Sequence, residues 1–294
     1  VPPSPGTIVQ AVPIESREER LLNAAQLLHN VAQLDPGAIA TPHLHAPSLN
    51  LLAEVRTLAH EGPAPAGGLC RLLWSLSASL ALPFAQMTAT CEALHNGGHL
   101  PGVTPQELAT LYEAVLLCDI NNNNNEGKDM YDSSNKVKEE DNRRQGHDLV
   151  CELLGEVTAR AAAKAYQQSV QLRHSTFTTA HLDIRAALLA AGLSCRQQVQ
   201  LASGTYVDFV VGGGGGETAV LVESGVDFAS NAPRHRMGAA AARCSLVAAS
   251  DFDAVVCIST AEWRKLSTAA QRAAFLRDRL PPALFTAPLI QRPP

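Results

Sequence analysis

The chain has 294 residues, enough for two ordinary domains, and 46% of them are hydrophobic, as in globular proteins. Its net charge of -5 is uneven: residues 1–150 carry 9 Lys/Arg against 17 Asp/Glu, and residues 151–294 carry 14 against 11. The basic bias of the second half permits a polyanionic partner there but is too small to demand one, and no run of 18 uncharged apolar residues exists that would span a membrane.

In chain order, Val1 to Pro13 is Pro-rich and reads as an extended tail without the form of a secretory signal. Ser16-Arg17-Glu18-Glu19 is a capping box, since the Ser16 hydroxyl can accept from the Glu19 N–H while Glu19 reaches back. Leu21, Leu22, Ala25, Leu28, Val31 and Ala32 follow at helical spacing, and Asp35-Pro36-Gly37 ends the run. Further helices are predicted from about Ser48 to His60, from Gly68 to Leu80, and from Pro83 to the Asn96-Gly97-Gly98 turn. Another opens on Thr104-Pro105-Gln106-Glu107, which offers an N-cap, a Pro at N1 and a Glu at N3. Short helices with short Pro/Gly turns pack as antiparallel hairpins, resembling a degenerate helical repeat.

Asn121 to Gly146 opens with five asparagines and has almost nothing apolar to bury, so a disordered insert is expected. Helices resume from Asp148 to about Leu172 and from Thr179 to Ala191, the latter closed by Gly192. The texture then changes to period two. Strands are expected at Gln198–Leu201, Tyr206–Val211, Ala219–Glu223 and Ala254–Ile258. Helices are expected at Arg236–Ala249, as a turn at Glu262–Leu266, and at Thr268–Leu280, where Pro281-Pro282 stops the chain. The fold class is therefore α + α/β. A helical domain covers 1–120, the Asn-rich insert 121–146, connecting helices 147–194, and a small mixed α/β domain 195–294.

Most chemical motifs are absent. Seven cysteines are present without a CxxC pair, which reads as buried reduced thiols in a reducing or matrix-like compartment. Gly212–Gly216 lacks both a following helix and a GK[ST] sequence, so it reads as a hairpin loop and not as a phosphate loop. His43/His45 and His95/His99 fall in predicted loops with no cysteine or carboxylate at zinc-ligand spacing. No metal site and no cofactor are expected, and there is no GxSxG elbow. One pair stands out. Asp208 and Glu223 each sit on an apolar strand, and the two strands are joined by a short loop. Two such carboxylates are what a divalent metal needs for phosphodiester cleavage. The corresponding nuclease pattern is an Asp followed by Glu-x-Lys, but here Glu223-Ser224-Gly225 puts glycine in the lysine position. Asp208 and Glu223 are thus vestigial candidates, and no catalytic residue is assigned.

The C-terminal stretch, about 178 to 280, resembles the RAP domain found at the end of FAST kinase-like and other organellar RNA-metabolism proteins. His181-Leu182-Asp183-Ile184 is like the family's leading helix, Tyr206-Val207-Asp208-Phe209 is like "Y-x-[IV]-D", and Ala219 to Glu223 is like "I-A-[IV]-E". Arg236-Met237-Gly238 with Arg243 and Leu246 is like "G-x-T-x-x-[KR]-x-x-x-L". Ala254 to Ile258 followed by Glu262-Trp263 and Leu266 is like "[VI]-V-x-I-x-x-x-E-W-x-x-L", and Leu276 and Leu280 match the closing pattern. The family's usual "E-x-D-G-P-x-H-F" is broken at Gly225. Leu72-Leu73-Trp74-Ser75-Leu76 resembles the "L-x-W-[AS]-L" helix of the arrays that precede RAP domains.

The resemblance implies a helical platform followed by a nuclease-like domain of the PD-(D/E)xK, very-short-patch-repair type that contacts RNA without cleaving it. It implies mitochondrial matrix localisation, an organellar rRNA or mRNA as ligand, other proteins of a ribonucleoprotein such as the mitoribosome as partners, and no membrane. The alternatives are a metal-dependent endoribonuclease and a purely protein-binding scaffold subunit. Arg234, His235, Arg236 and Arg243, with Arg264 and Lys265 beside them, are the expected RNA surface. Arg236 and Arg243 would share a face of one helix. Trp74 and Trp263 are expected to be structural.

Overall fold

The computed structural model describes residues 16–61, 66–126, 148–174, 178–213, 216–229 and 232–286. The Pro-rich opening at 1–13 and most of the Asn-rich segment lie outside them.

The helical region comprises α1 (Arg17–Leu34), α2 (Pro36–Ile39), α3 (Pro42–Glu61), α4 (Ala66–Ala78), α5 (Phe84–Asn96), α6 (Pro105–Glu126), α7 (148–154) and α8 (Glu156–His174). Its starts follow the predicted caps. Ser16 and Glu19 form the capping box of α1, and Thr104 and Glu107 exchange the same two bonds at the start of α6. Three boundaries differ from expectation, the first being that the single helix expected from Asp148 to about Leu172 breaks at Gly155, where φ is 76°, into α7 and α8. α3 begins at Pro42, because the Thr41 carbonyl accepts from the Leu44 and His45 N–H groups and opens the helix ahead of Pro47. His43 and His45 are therefore helical, and His45 Nε2 lies 2.9 Å from the Ala81 carbonyl. The polyasparagine run continues α6 as far as Glu126, since extending an existing helix needs no new nucleus, and Asn121 Nδ2 donates to the Ser77 carbonyl at 3.1 Å.

α4 is buried on nearly every side, with Leu69, Cys70, Leu72, Leu73, Trp74 and Leu76 in one core with Leu111, Val115 and Leu154. A helix apolar all round belongs in such a place. Trp74 is buried, and its indole N–H donates to the buried Glu113 carboxylate at 2.8 Å. Among the described residues no helix is long and apolar enough to cross a membrane.

The second region begins with α9 (Thr179–Ala190). The strands β1 (Ser194–Gln200), β2 (Tyr206–Gly213) and β3 (Gly216–Glu223) form an antiparallel meander. The chain then passes a short two-stranded ribbon, β4 (Phe228–Ala229) and β5 (Ala232–Arg236), and the helix α10 (Gly238–Ala248) before β6 (Ala254–Ser259) joins β3 in parallel. The sheet order is β1-β2-β3-β6, a small mixed sheet in a mostly helical protein. The turn α11 (Thr260–Trp263), α12 (Ala269–Arg279) and α13 (Ala283–Thr286) complete it.

The sheet buries both faces. Phe209, Val211, Val220, Val222 and Ile258 pack with Ile184 and Leu188 of α9, Leu276 of α12, and Trp263. Val207, Val210, Ala219 and Leu221 face Val247 of α10. The opposite side of α10 places Ala242 and Leu246 in the helical core, where Ala159, Ala162 and Tyr166 of α8 also lie. One helix thus belongs to both halves of the molecule.

Gly238 explains how closely the halves meet. A Cβ there would stand 2.2 Å from the Ala32 carbonyl oxygen of α1, a backbone atom that cannot swing aside. Gly238→Ala is expected to lower stability by about 1–3 kcal/mol, the usual cost of overpacking. Chemical denaturation checks this, and a stability equal to wild type would show that α1 and α10 can separate freely.

Candidate functional site

The β2–β3 ladder runs in register from Gly213–Gly216 to Phe209–Val220. Past that point side chains take over its backbone groups. Asp208 Oδ2 accepts from the Val222 N–H at 2.7 Å, and Arg243 Nη2 donates to the Tyr206 carbonyl at 3.1 Å. Arg243 Nη2 also donates to Asp208 Oδ2 at 3.0 Å, so one guanidinium bridges the strand backbone and the buried carboxylate. His181, from α9, brings Nε2 to 3.6 Å from Asp208 Oδ1. Burial is the largest single influence on the Asp208 carboxyl and opposes its ionisation. His181, Arg243 and the Val222 N–H together outweigh it and hold the carboxyl below its ordinary value.

Glu223 ends β3 and is also buried. Arg236 grips it through both ends of the guanidinium, with Nε at 2.5 Å from Oε1 and Nη2 at 3.3 Å from Oε2. This two-point geometry is what the planar fork of arginine favours. The hydrogen bond to Glu223 raises the Arg236 pKa, outweighing its partial burial. Gly225 begins the turn after β3, and a Cβ there would meet nothing within 4 Å, so the position that carries lysine in the nuclease pattern opens to solvent.

Asp208 and Glu223 therefore stand on adjacent strands, as expected, but each is neutralised by an arginine. Both arginines come from the set expected to face RNA. Arg236 is the last residue of strand β5, not part of a helix, so the shared helical face with Arg243 does not exist. The sequence reading missed the ribbon because Ala232 to Arg236 has no apolar alternation to mark a strand. Arg234 and His235 also lie on β5, but their side chains fall outside the described residues. Arg264 and Lys265 follow α11 and are exposed. Trp263 beside them is buried, edge-on to Phe275 at 5.9 Å, with Arg272 over its ring at 5.5 Å.

Sequence reasoning gave His181 no site role and left the cysteines as inert thiols. The structure places His181 against Asp208, and Cys244 of α10 3.9 Å from Cys257 of β6, sulfur to sulfur. No spacing signal links either pair. Among the described residues, no three or more His, Cys, Asp or Glu side chains cluster so as to hold a metal ion. What the site can do is bind its own strand ends together, while two exposed cations, Arg264 and Lys265, follow α11. Set against known protein families and against curated proteins, the sequence finds no match.

Proposed function

We propose that this chain is a non-catalytic RNA-binding protein of a mitochondrial ribonucleoprotein, with a RAP-like C-terminal module whose nuclease-type centre has become structural. The observation that carries the reading is the charge of the edge formed by α11 and α12. Between residues 260 and 279 stand Arg264, Lys265, Arg272, Arg277 and Arg279 against two acids, Glu262 and Asp278. Arg272 is engaged with Asp183 and Arg279 with Glu262. Arg264, Lys265 and Arg277 are exposed and enter no ion pair among the described residues. Three exposed cations outside any ion pair among the described residues, two of them directly after the buried Trp263, are available to a nucleic-acid backbone. The arginine clamps on Asp208 and Glu223, with Gly225 in the lysine position, support binding without cleavage. The organelle and the partner proteins rest on the RAP resemblance.

The test is fluorescence anisotropy with a labelled single-stranded RNA of mixed sequence over a salt series. Wild type should bind with a clear salt dependence. Replacing Arg264, Lys265 and Arg277 together by alanine should weaken binding at low salt and reduce the slope of log K against log salt by roughly 1 or less per lost phosphate contact. If wild type does not bind, or the triple variant matches it in affinity and slope, the protein-binding scaffold reading takes over. Cleavage of the same RNA with magnesium or manganese, lost in Asp208→Asn, would favour the endoribonuclease instead.

A further inference from the structure

Cys244 and Cys257 lie on different elements, the helix α10 and the edge strand β6, yet their sulfurs are 3.9 Å apart. Both are half-buried, so a small reagent can reach them. We propose that these two thiols form a reversible disulfide that is made by a two-electron oxidant such as hydrogen peroxide and clamps α10 to the sheet.

The chemistry follows from the setting. The Cys244 thiolate attacks one peroxide oxygen, the O–O bond breaks, and hydroxide leaves. The resulting sulfenic acid is attacked by Cys257, which forms the S–S bond and releases water. Both electrons come from the sulfur pair, and the sum is two thiols plus one peroxide giving one disulfide and two waters. Cys244 is the nucleophile because its neighbours favour the thiolate. The hydrogen bond with the Cys257 thiol lowers its pKa most, burial and the nearby Glu223 carboxylate oppose this, and Arg236 and Arg243 add to the lowering. Cys257 is shifted upward, first by that same hydrogen bond and then by burial, so it is the thiol of the pair while Cys244 reacts with peroxide; its proton leaves with the sulfenic hydroxyl as water when it resolves the sulfenic acid.

Four of the other thiols differ in kind. Cys70 and Cys118 are buried in the helical core, where burial pushes both up to about 12, and burial raises Cys91 as well. Cys195 is also shifted upward by burial. Closing 3.9 Å to a bond of about 2.05 Å asks the two side chains to approach by roughly 2 Å, within the reach of rotamer changes and a small shift of α10. Cys244 follows Arg243 in sequence, and the thiols sit on the sheet face with Val247 and Leu221. The disulfide would therefore fix the helix that holds Arg243 on Asp208 and Tyr206. Nothing in this requires the RNA reading.

The experiment treats the whole folded chain with a slight excess of hydrogen peroxide. It then unfolds and alkylates the protein and maps its peptides by mass spectrometry. The expected result is a fall from seven alkylatable thiols to five, a mass lower by two hydrogens, and one cross-link joining the Cys244 and Cys257 peptides, all reversed by dithiothreitol. In Cys257→Ser the sulfenic acid should persist on Cys244 and be trapped by dimedone. A wild-type map with no 244–257 link, under conditions that oxidise a control dithiol peptide, overturns the proposal, as does a set of links spread evenly over the cysteines. The wild-type map decides the question even if the serine variant does not fold.

Discussion

Replacing Arg243 with alanine is expected to destabilise the protein by about 3–5 kcal/mol, because it strands a buried carboxylate. The Asp208 side chain is 8% exposed and that of Arg243 is 17%, so water screens the pair little. The variant loses the donor to Asp208 and leaves the Tyr206 carbonyl without its side-chain partner. His181 and the Val222 N–H remain on the carboxylate, which places the cost toward the lower end of the range. Arg243→Lys should recover only part of it, since one ammonium cannot reproduce a fork that spans a carbonyl and a carboxylate. Urea denaturation of the three proteins measures this, and a loss under about 1 kcal/mol for the alanine variant would show that the bridge contributes nothing net.

The same cluster sets an acid limb. Asp208 has a folded-state pKa below its ordinary value, so the unfolded chain binds its proton more readily than the folded one does. Its contribution is complete above the unfolded value, about 3.9, and is lost as pH falls toward the folded value. Stability should therefore drop on acidification through this window. Asp208→Asn should flatten the limb while lowering stability at neutral pH.

Trp263→Ala should cost about 3–5 kcal/mol, the range for deleting a buried aromatic. The ring is 1% exposed and shares its core with Leu276, Leu280 and Leu284. Its substitution would also remove the surface under Arg272 and the edge contact to Phe275. Phenylalanine distinguishes the two tryptophans. Among the described residues the Trp263 indole N–H finds no acceptor, so Trp263→Phe loses packing volume but no hydrogen bond seen there. Trp74→Phe removes the donor to the buried Glu113 and should lose a further ~1–3 kcal/mol relative to Trp263→Phe. Thermal melts of the three variants give the order. A Trp263→Ala melting temperature close to wild type would refute the structural role.

Much of the local structure was legible because it is written in short-range chemistry. The capping boxes at Ser16 and Thr104 and the strands that carry Asp208 and Glu223 each follow from residues within a turn or a strand of one another. So do the stops after α1 and α12. The coarse α + α/β class follows from the change of period near Ser194. Where the reading slipped, the decisive residue lay elsewhere. Ala232–Arg236 became a strand through pairing with Phe228 and Ala229. Polyasparagine stayed helical through Glu126 because α6 was already formed.

What the sequence determined by itself was the presence of two carboxylates on neighbouring strands and of glycine where the nuclease pattern has lysine. It also determined a basic bias in the second half. Only the tertiary structure decided that Arg243 and Arg236 neutralise those carboxylates, that His181 backs Asp208, and that Cys244 meets Cys257. It also decided that Gly238 must stay small against Ala32. The physical reason is the range of the information. Caps and alternation are set by neighbours in sequence, whereas which charge a guanidinium meets depends on how α10 is wedged between the helical core and the sheet. That placement is fixed by burying Leu246 on one side and Val247 on the other.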